Sequence, residues 1–303
     1  MQLNCQICGA ENVPQNHFYE IHKIPIRKYL NQYFPKKDLL TNEDLPWTGN
    51  FDSYILNDFK ERQNLKIYLN RLEPQIARKY VLEKFKQRKE IKNLIYALSQ
   101  FELRSLMLPP VNYIETKLFG YDSLIKEVGL KSRFNYEEKM KYNNNENLEM
   151  IIDTREQLRY NFNKSKTEKL EYGDYAAVNN PNKIFIERKG LNDALSTFTA
   201  HFDRFCRELD RVVEDNAYLV ILIESSYNNL LTFDTWEIYR KTKVNPAYFF
   251  HKIREINQKY PLHCQFVCSN DRENAQKLVE KIFLMDNNVR NIDLEYMVDL
   301  NII

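Results

Sequence analysis

Residues 184–193 read IFIERKGLND. Side chains of a β-strand alternate between its two faces, so Glu187 and Lys189 share one face while the isoleucines of the same stretch pack on the other. An earlier stretch, residues 169–178, reads KLEYGDYAAV and adds the carboxylate of Asp174. Two carboxylates and a lysine are therefore expected to converge across neighbouring strands.

Further upstream, the stretch MIIDTRE contributes Asp153 and Glu156, which would bring four carboxylates into one site. Like charges about 4 Å apart repel by roughly 1 kcal/mol in water and by about 4 kcal/mol at an effective dielectric constant of 20. A divalent cation would offset this repulsion, so the pattern favours a metal-dependent phosphodiesterase. Asp174 and Glu187 would hold the ion, and Lys189 would meet the negative charge that develops on phosphate. The alternative is ordinary ion pairing at the surface.

The order of these residues is Gly173, Asp174, twelve residues, Glu187, Arg188, Lys189, three residues and Asp193. This order resembles the nuclease domain of the XPF and Mus-type structure-specific endonucleases, whose motif is GD, a variable stretch and ERKxxxD. It also resembles the broader D-x(n)-E-x-K pattern of restriction-endonuclease-like folds. The family's DxRE strand corresponds to residues 153–156, and the likeness extends over residues 147–287.

The resemblance implies a site residue by residue. Asp174 and Glu187 would bind Mg²⁺ or Mn²⁺ with the main-chain carbonyl of Arg188, and Asp153 would be a further ligand. Lys189 would orient the attacking water or stabilise the pentavalent phosphate. The full set of candidate catalytic residues is Asp153, Glu156, Asp174, Glu187, Arg188, Lys189, Asp193 and Arg204.

The activity implied by the resemblance is hydrolysis of a DNA phosphodiester in branched, flapped or junction DNA, in repair, recombination or replication. Two alternatives stay open: a sequence-specific restriction or homing-like endonuclease, and a DNA-binding scaffold whose nuclease fold is inactive. Relatives of this kind commonly pair, so a homodimer is expected. The stretch beyond Met285 is too short for a tandem helix-hairpin-helix module, so DNA recognition is expected from elsewhere in the chain or from a partner.

The N-terminus contains four potential zinc ligands: Cys5, Cys8, His17 and His22. The C-x2-C and H-x4-H half-sites have spacings that a tetrahedral zinc site accepts. Eight residues separate Cys8 from His17, whereas a DNA-reading finger usually has about twelve. A compact structural zinc knuckle is therefore favoured over a ββα finger, and the alternative is two unconnected pairs.

With 303 residues, two domains are expected. The predicted fold class is α/β: a restriction-endonuclease-like α/β/α nuclease domain preceded by a mostly helical region with a small zinc knuckle. The predicted segments are a zinc knuckle at 1–35, a basic helical DNA-binding region at 36–134, a linker at 135–147, the nuclease domain at 148–287 and a C-terminal tail at 288–303.

Charge is divided unevenly along the chain. Residues 1–145 carry 23 Lys and Arg against 17 Asp and Glu, leaving +6, whereas residues 146–303 carry 21 against 25, leaving −4. The basic stretch 78–92 predicts either contacts with the DNA backbone or a solvated amphipathic helix. No apolar run reaches the roughly 20 residues that span a bilayer. We therefore expect a protein of the cytoplasm, in a bacterial or phage-infected cell.

Overall fold

The structure is a computed structural model that describes residues 2–14, 16–26, 29, 69–70, 73–132, 148–232, 246–301 and 303. The predicted linker at 135–147 and most of residues 36–73 lie outside the described residues. The chain divides into two compact units, one of Met1–Gln87 with Leu106–Val128 and one of Arg88–Ser105 with Gly129–Ile303. This division groups residues 88–105 with the C-terminal part, whereas the sequence placed them in the helical region. The predicted domain boundaries stay a prediction.

The N-terminal part of the chain is mostly helical, as predicted. Its elements are β1 (Gln2–Leu3), β2 (Val13–Pro14), α1 (His17–Glu20), α2 (Pro74–Lys92), α3 (Gln100–Ser105), α4 (Val111–Lys117) and α5 (Tyr121–Val128). Pro110 is the N-cap of α4, and Gly129 follows α5 with a positive φ of 73°. A positive φ favours glycine directly after a helix. Pro110 therefore marks the start of α4, and Gly129 marks the end of α5.

A six-stranded mixed sheet forms the centre of the second unit, with strand order β4-β3-β5-β6-β7-β8. Its strands are β3 (Met150–Asp153), β4 (Ser165–Glu168), β5 (Tyr175–Ala177), β6 (Ile184–Lys189), β7 (Tyr218–Ile223) and β8 (Cys264–Cys268). β3 and β6 each pair antiparallel with β5, whereas β6, β7 and β8 run parallel. All six residues of β7 are buried, which is the pattern of a central strand covered on both faces.

Helices cover this sheet. They are α6 (Leu191–Thr197), α7 (Phe202–Glu214), α8 (Tyr227–Thr232), α9 (Pro246–Lys259), α10 (Arg272–Met285), a 3-10 helix (Asp286–Asn291) and α11 (Leu294–Asp299). An aromatic-rich core joins Phe198 and Phe205 to Ile221 of β7 and Phe266 of β8. The α/β/α architecture predicted from the sequence is confirmed.

Residues 191–214 form two helices rather than one, because the chain turns at 198–201, where the His201 N–H donates to the Ser196 carbonyl at 3.0 Å. β4 was not predicted, because its residues SKTE are mostly exposed and lack apolar alternation. The expected C-terminal tail instead contains the 3-10 helix and α11, in which Leu294 and Met297 are fully buried.

The basic stretch of α2 is partly structural. Arg88 and Lys92 are buried, and both pair with the buried carboxylate of Glu102. Lys79 and Lys86 lie exposed on the same helix. The periodicity of lysine and arginine in the sequence could not separate these two groups, because both recur on one helix.

No helix in the described part of the chain is long and apolar enough to cross a membrane.

Candidate active site

The GD dipeptide is built into a close contact between β5 and β6. Gly173 has a φ of 62°, and a Cβ at this position would lie 2.7 Å from the carbonyl oxygen of Ile186. The N–H of Asp174 donates to that same oxygen at 2.8 Å. Tyr175 pairs with Ile186 in the antiparallel ladder, so Asp174 directly precedes the point where β5 meets β6.

Asp174 and Glu187 form a pair of half-buried carboxylates. Burial, followed by the negative charge of Glu187, raises the pKa of Asp174 to about 8. The pKa of Glu187 is also raised, first by burial and then by the charges of Glu208 and Asp193. The two carboxylates resist ionisation because they are buried close together. A divalent cation would stabilise their ionised forms, and carboxylate oxygens are the hard donors that such a cation prefers.

Lys189 is the cation of this face. Its Nζ lies 2.5 Å from Oε1 of Glu187 and 3.3 Å from Oδ2 of Asp193. Burial alone would lower the pKa of Lys189, but the charge and hydrogen bond of Glu187 together with the charges of Asp193 and Asp174 outweigh burial and hold it above its usual range. Lys189 is therefore a fixed positive charge beside the two carboxylates, as the strand alternation predicted.

Asp153, predicted as a further metal ligand, is held by hydrogen bonds from neighbouring groups of the chain. Its carboxylate is fully buried and accepts N–H bonds at 2.7 to 3.0 Å from the main chain and guanidinium of Arg155 and from the main chain of Leu170. Burial would raise the pKa of Asp153, but these bonds outweigh burial and hold it below its usual range. Because four N–H groups occupy its two oxygens, the structure does not favour Asp153 as a metal ligand.

Glu156 and Arg188 contact each other on the opposite face of the sheet. The guanidinium of Arg188 donates to Glu156 at 3.1 and 3.3 Å. Alternation along β6 makes this separation necessary, since Arg188 lies between Glu187 and Lys189. The main-chain N–H of Arg188, in contrast, lies in the strand plane and donates to Oδ2 of Asp174 at 2.8 Å.

The expected convergence of four carboxylates on one cation stays a prediction, and the four acids make different contacts in the structure. Within the described part of the chain, the acids of the sheet do not form a cluster of three or more metal ligands. Arg204 lies exposed on α7, whereas Glu208, one turn further, is close enough to influence the pKa of Glu187. The geometry brings together Asp174, Glu187, Lys189 and Asp193.

Comparison with known families identifies this part of the chain. Residues 152–282 match the model of the family described as the ERCC4 domain. Residues 152–282 therefore form an ERCC4 domain. The predicted resemblance is confirmed by this match, which spans the GD dipeptide, the ERK residues and all five strands from β4 to β8.

Two solved structures are similar to the chain. XPF from Aeropyrum pernix is 16% identical with a TM-score of 0.35, and the match covers 46% of this chain and 68% of that one. XPF from Aeropyrum pernix in complex with DNA is 15% identical with a TM-score of 0.33, and covers 46% of this chain and 63% of that one. The match thus spans about two thirds of those chains. Comparison with curated proteins gives no significant match.

The ERCC4 domain contains ionic residues that the sequence analysis missed. Glu224 follows β7 directly and accepts a bond from Arg188 NH1 at 3.0 Å. Arg272, at the start of α10, donates to the same carboxylate at 2.9 Å. A signal for Glu224 exists, since a lone acid directly after an all-apolar strand lies at the carboxyl edge of the parallel strands, where sites of α/β folds form. Arg272 has no such signal, because its contact depends on how α10 packs.

The N-terminal cysteines and histidines form a second candidate site, separate from the ERCC4 domain in sequence. Nε2 of His22 lies 3.3 Å from Sγ of Cys5 and 3.2 Å from Nε2 of His17, which lies 3.5 Å from Sγ of Cys8. One ligand atom of each residue lies within 4.8 Å of the other three. In a tetrahedral zinc site such atoms are about 3.3 to 3.8 Å apart. The cluster is thus compatible with the predicted zinc knuckle.

Proposed function

We propose that this protein is a metal-dependent endonuclease that hydrolyses phosphodiester bonds in branched, flapped or junction DNA. The observation that carries the proposal is the placement of Asp174, Glu187 and Lys189 on one face at the edge where β5 and β6 meet. The match of residues 152–282 to the ERCC4 domain supports it. Repair, recombination or replication of DNA would be the setting, and a homodimer stays a prediction.

The residues of this face fit Mg²⁺ or Mn²⁺. Asp174 and Glu187 would supply carboxylate oxygens, and the main-chain carbonyl of Arg188 would supply a third, since the N–H and C=O of one strand residue point to the same edge. The raised pKa of Asp174, caused by burial and by the charge of Glu187, supports this fit, because a bound cation would relieve the repulsion between the two carboxylates. When bound, the ion would lower the pKa of a water molecule and polarise the phosphate.

The protein's own groups would perform the remaining tasks. Lys189 would donate to a non-bridging phosphate oxygen and stabilise the charge that builds up in the transition state. To do so, the ammonium group, which lies 2.5 Å from Oε1 of Glu187, would redirect one of its N–H donors from Glu187 to the phosphate. Asp193, which lies 3.3 Å from Lys189 and is more exposed, would keep the ammonium group aligned during this exchange.

A cleavage panel tests the proposal. Flaps, forks, four-way junctions and linear duplexes would be incubated with the full chain and Mg²⁺ or Mn²⁺. We expect cutting near the junctions, and Asp174→Asn and Lys189→Ala are expected to lower its rate by at least about 1,000-fold, as for removal of groups that stabilise a transition state. Lys277→Ala is the matched control, since Lys277 forms an exposed ion pair with Glu273 on α10.

The alternatives are outcomes of the same panel. Products at fixed positions in plain duplex would indicate a sequence-specific endonuclease. Binding without cutting under any metal would indicate an inactive DNA-binding scaffold. Full activity of Asp174→Asn would refute the site assignment.

We also propose that Cys5, Cys8, His17 and His22 hold a structural zinc ion. The mutual distances of their ligand atoms and their soft sulfur and imidazole donors support this role. Four protein ligands leave no open position on zinc, so the ion would stabilise the fold of the N-terminal segment rather than catalyse a reaction. Around the cluster, Tyr29 is fully buried, packs on Phe18 and accepts a bond from Gln6 N–H at 2.7 Å.

A further inference from the structure

Five side chains form a connected network on the face of the sheet opposite to Lys189. Glu156 and Glu224 both accept bonds from the guanidinium of Arg188, and Glu224 also accepts from Arg272 and Tyr160. We call these five residues the Arg188 clamp. They come from the loops after β3 and β7, from β6 and from the start of α10.

Glu224 is the centre of the clamp. Its Oε2 lies 3.0 Å from Arg188 NH1, and its Oε1 lies 2.7 Å from the Tyr160 hydroxyl and 2.9 Å from Arg272 NH1. Its side chain retains 13% exposure. Hydrogen bonds between ionised partners with little solvent are stronger and better oriented than neutral ones. Glu224 therefore restricts the position of the Arg188 guanidinium.

Arg272 and Tyr160 extend the clamp to the loop that follows β3. Arg272 donates to the carbonyls of Leu158 at 2.7 Å and Arg159 at 3.0 Å. Tyr160 stacks on Tyr175 of β5 with ring centroids 5.0 Å apart, and Tyr175 directly follows Asp174. The clamp thus contacts both strands that carry the carboxylates of the proposed site.

The backbone of Arg188 connects the clamp to the other face. Its side chain is held by Glu156 and Glu224, while its N–H donates to Oδ2 of Asp174 at 2.8 Å. We infer that Glu224 is a positioning residue for the nuclease site, which fixes Arg188 on one face of β6 and thereby orients the Asp174 carboxylate on the other. The expected effect on kcat rests on the proposed nuclease function, whereas the expected effect on the orientation of Asp174 does not.

A near-isosteric substitution tests the inference on the full chain. Glu224→Gln removes the charge that holds Arg188 and keeps the size of the side chain. We expect kcat to fall by about 10- to 100-fold, as for the loss of groups that orient metal ligands. KM for DNA is expected to change by less than about threefold, because the clamp does not lie on the face of Lys189. Glu273→Gln, in an exposed ion pair at 2.7 Å on α10, is the matched control.

Hydrogen exchange provides a readout that does not depend on catalysis. The Arg188 amide should exchange at least about 10-fold faster in Glu224→Gln than in the wild type, because its acceptor is less well aligned. The central β7 amides should keep their protection. Equal loss of protection throughout the sheet would mean that Glu224 serves only global stability, and it would overturn the inference.

A double-mutant cycle separates action through Arg188 from independent action. When Glu224→Gln is added to Arg188→Gln, kcat of the double variant should be less than about twofold lower than kcat of Arg188→Gln alone, because the partner of Glu224 has already been removed. A full additional loss would contradict the inference. If Glu224→Gln does not fold, Tyr160→Phe and Arg272→Gln remove one donor each, and both should accelerate Arg188 exchange.

The outcomes also distinguish this inference from the proposed function. If the wild type cuts no DNA, the proposed function fails, and Arg188 exchange still decides whether Glu224 orients Asp174. If the wild type cuts and Glu224→Gln cuts equally well with unchanged Arg188 exchange, the inference fails and the nuclease assignment stands.

Discussion

Gly173 lies against the main chain of Ile186, with the position of a Cβ only 2.7 Å from the Ile186 carbonyl oxygen and 2.9 Å from the carbonyl carbon. Neither backbone atom can move without disturbing the β5–β6 pairing, from which both carboxylates of the proposed site project. The glycine of the GD dipeptide is therefore required by packing as well as by its φ of 62°.

We expect Gly173→Ala to lower the free energy of unfolding by about 2 to 4 kcal/mol, because strained backbone and steric overlap both contribute. Cutting should be lost together with stability. The measurement is urea unfolding followed by circular dichroism. Gly129→Ala is the control, since Gly129 has a similar φ of 73° but, among the described residues, a Cβ there would meet only the flexible Lys89 Nζ within 4 Å. Its cost should be about 1 to 2 kcal/mol, and an equal cost at both positions would contradict the role of the Ile186 contact.

Asp153 and Asp174 should respond in opposite directions to replacement by asparagine. The ionised Asp153 is stabilised by four N–H donors, so Asp153→Asn should reduce the free energy of unfolding by about 2 to 4 kcal/mol at pH 7. The ionised Asp174 is disfavoured, since its pKa is raised to about 8. Asp174→Asn should therefore stabilise the metal-free protein by about 1 to 3 kcal/mol while abolishing cutting.

Denaturant unfolding in a chelating buffer at pH 7 measures both effects. Destabilisation by Asp174→Asn of the same size as by Asp153→Asn would show that the two carboxylates play equivalent structural roles. A cutting-competent Asp174→Asn would independently exclude it as a metal ligand.

The N-terminal cluster should bind one zinc ion per chain. Cys8→Ser and His22→Ala are each expected to lower the bound zinc to below about 0.2 equivalents at micromolar free zinc, because three remaining ligands bind zinc far more weakly than four. Metal analysis after gel filtration measures the stoichiometry. Cys206→Ser is the control, since Cys206 lies on α7 outside the cluster. Retention of zinc in both variants would place the ion elsewhere.

Stability should depend on pH through Asp293. This buried residue accepts main-chain bonds from Ser99 at 2.7 Å and from Tyr296 at 3.3 Å. Burial, followed by the negative charge of Glu102, raises the pKa of Asp293 to about 6. A carboxyl group with a folded-state pKa above its unfolded value, about 3.9, opposes folding when ionised. Its contribution should therefore become more favourable as the pH falls from about 7 to about 4.

The matched comparison is Asp293→Asn, measured by unfolding in urea at pH 7 and pH 5. The wild type should gain more stability than the variant over this interval, by up to about 1 to 2 kcal/mol. The two proteins share two other carboxylates near this position, Glu295 and Asp299, whose pKa values are also raised, first by desolvation. The charge of Asp293 contributes to both of these shifts, so the difference measures Asp293 together with its effect on its neighbours, and equal pH responses would contradict the predicted shift.

The sequence alone predicted those parts of the site that depend on local order. Strand alternation placed Glu187 and Lys189 on one face, and this holds because the period of two is a property of every strand. The dipeptide at 173–174 and the ERK residues also indicated the XPF-type nuclease domain. The cysteine and histidine spacing predicted a cluster whose ligand atoms do come together in the structure.

Tertiary structure decided which acids meet. The sequence carries no information on which face the loop after β3 returns to, so Asp153 and Glu156 could not be assigned. In the structure, Asp153 is closed off by Arg155 and Leu170, and Glu156 lies with Arg188 and Glu224 on the opposite face. Likewise the sequence could not tell that Arg88 is buried against Glu102 while Lys86 is exposed, since burial depends on what packs against the helix.

What the amino-acid order determined by itself is therefore the type of strand, the alternation of its side chains and the chemical identity of the donors. What only the folded chain decided is the pairing of those donors across residues 14 to 36 positions apart, such as Arg188 with Asp174 and with Glu224. The physical reason is that local backbone geometry fixes the direction of a side chain, whereas its partner and its exposure to water are fixed by long-range packing.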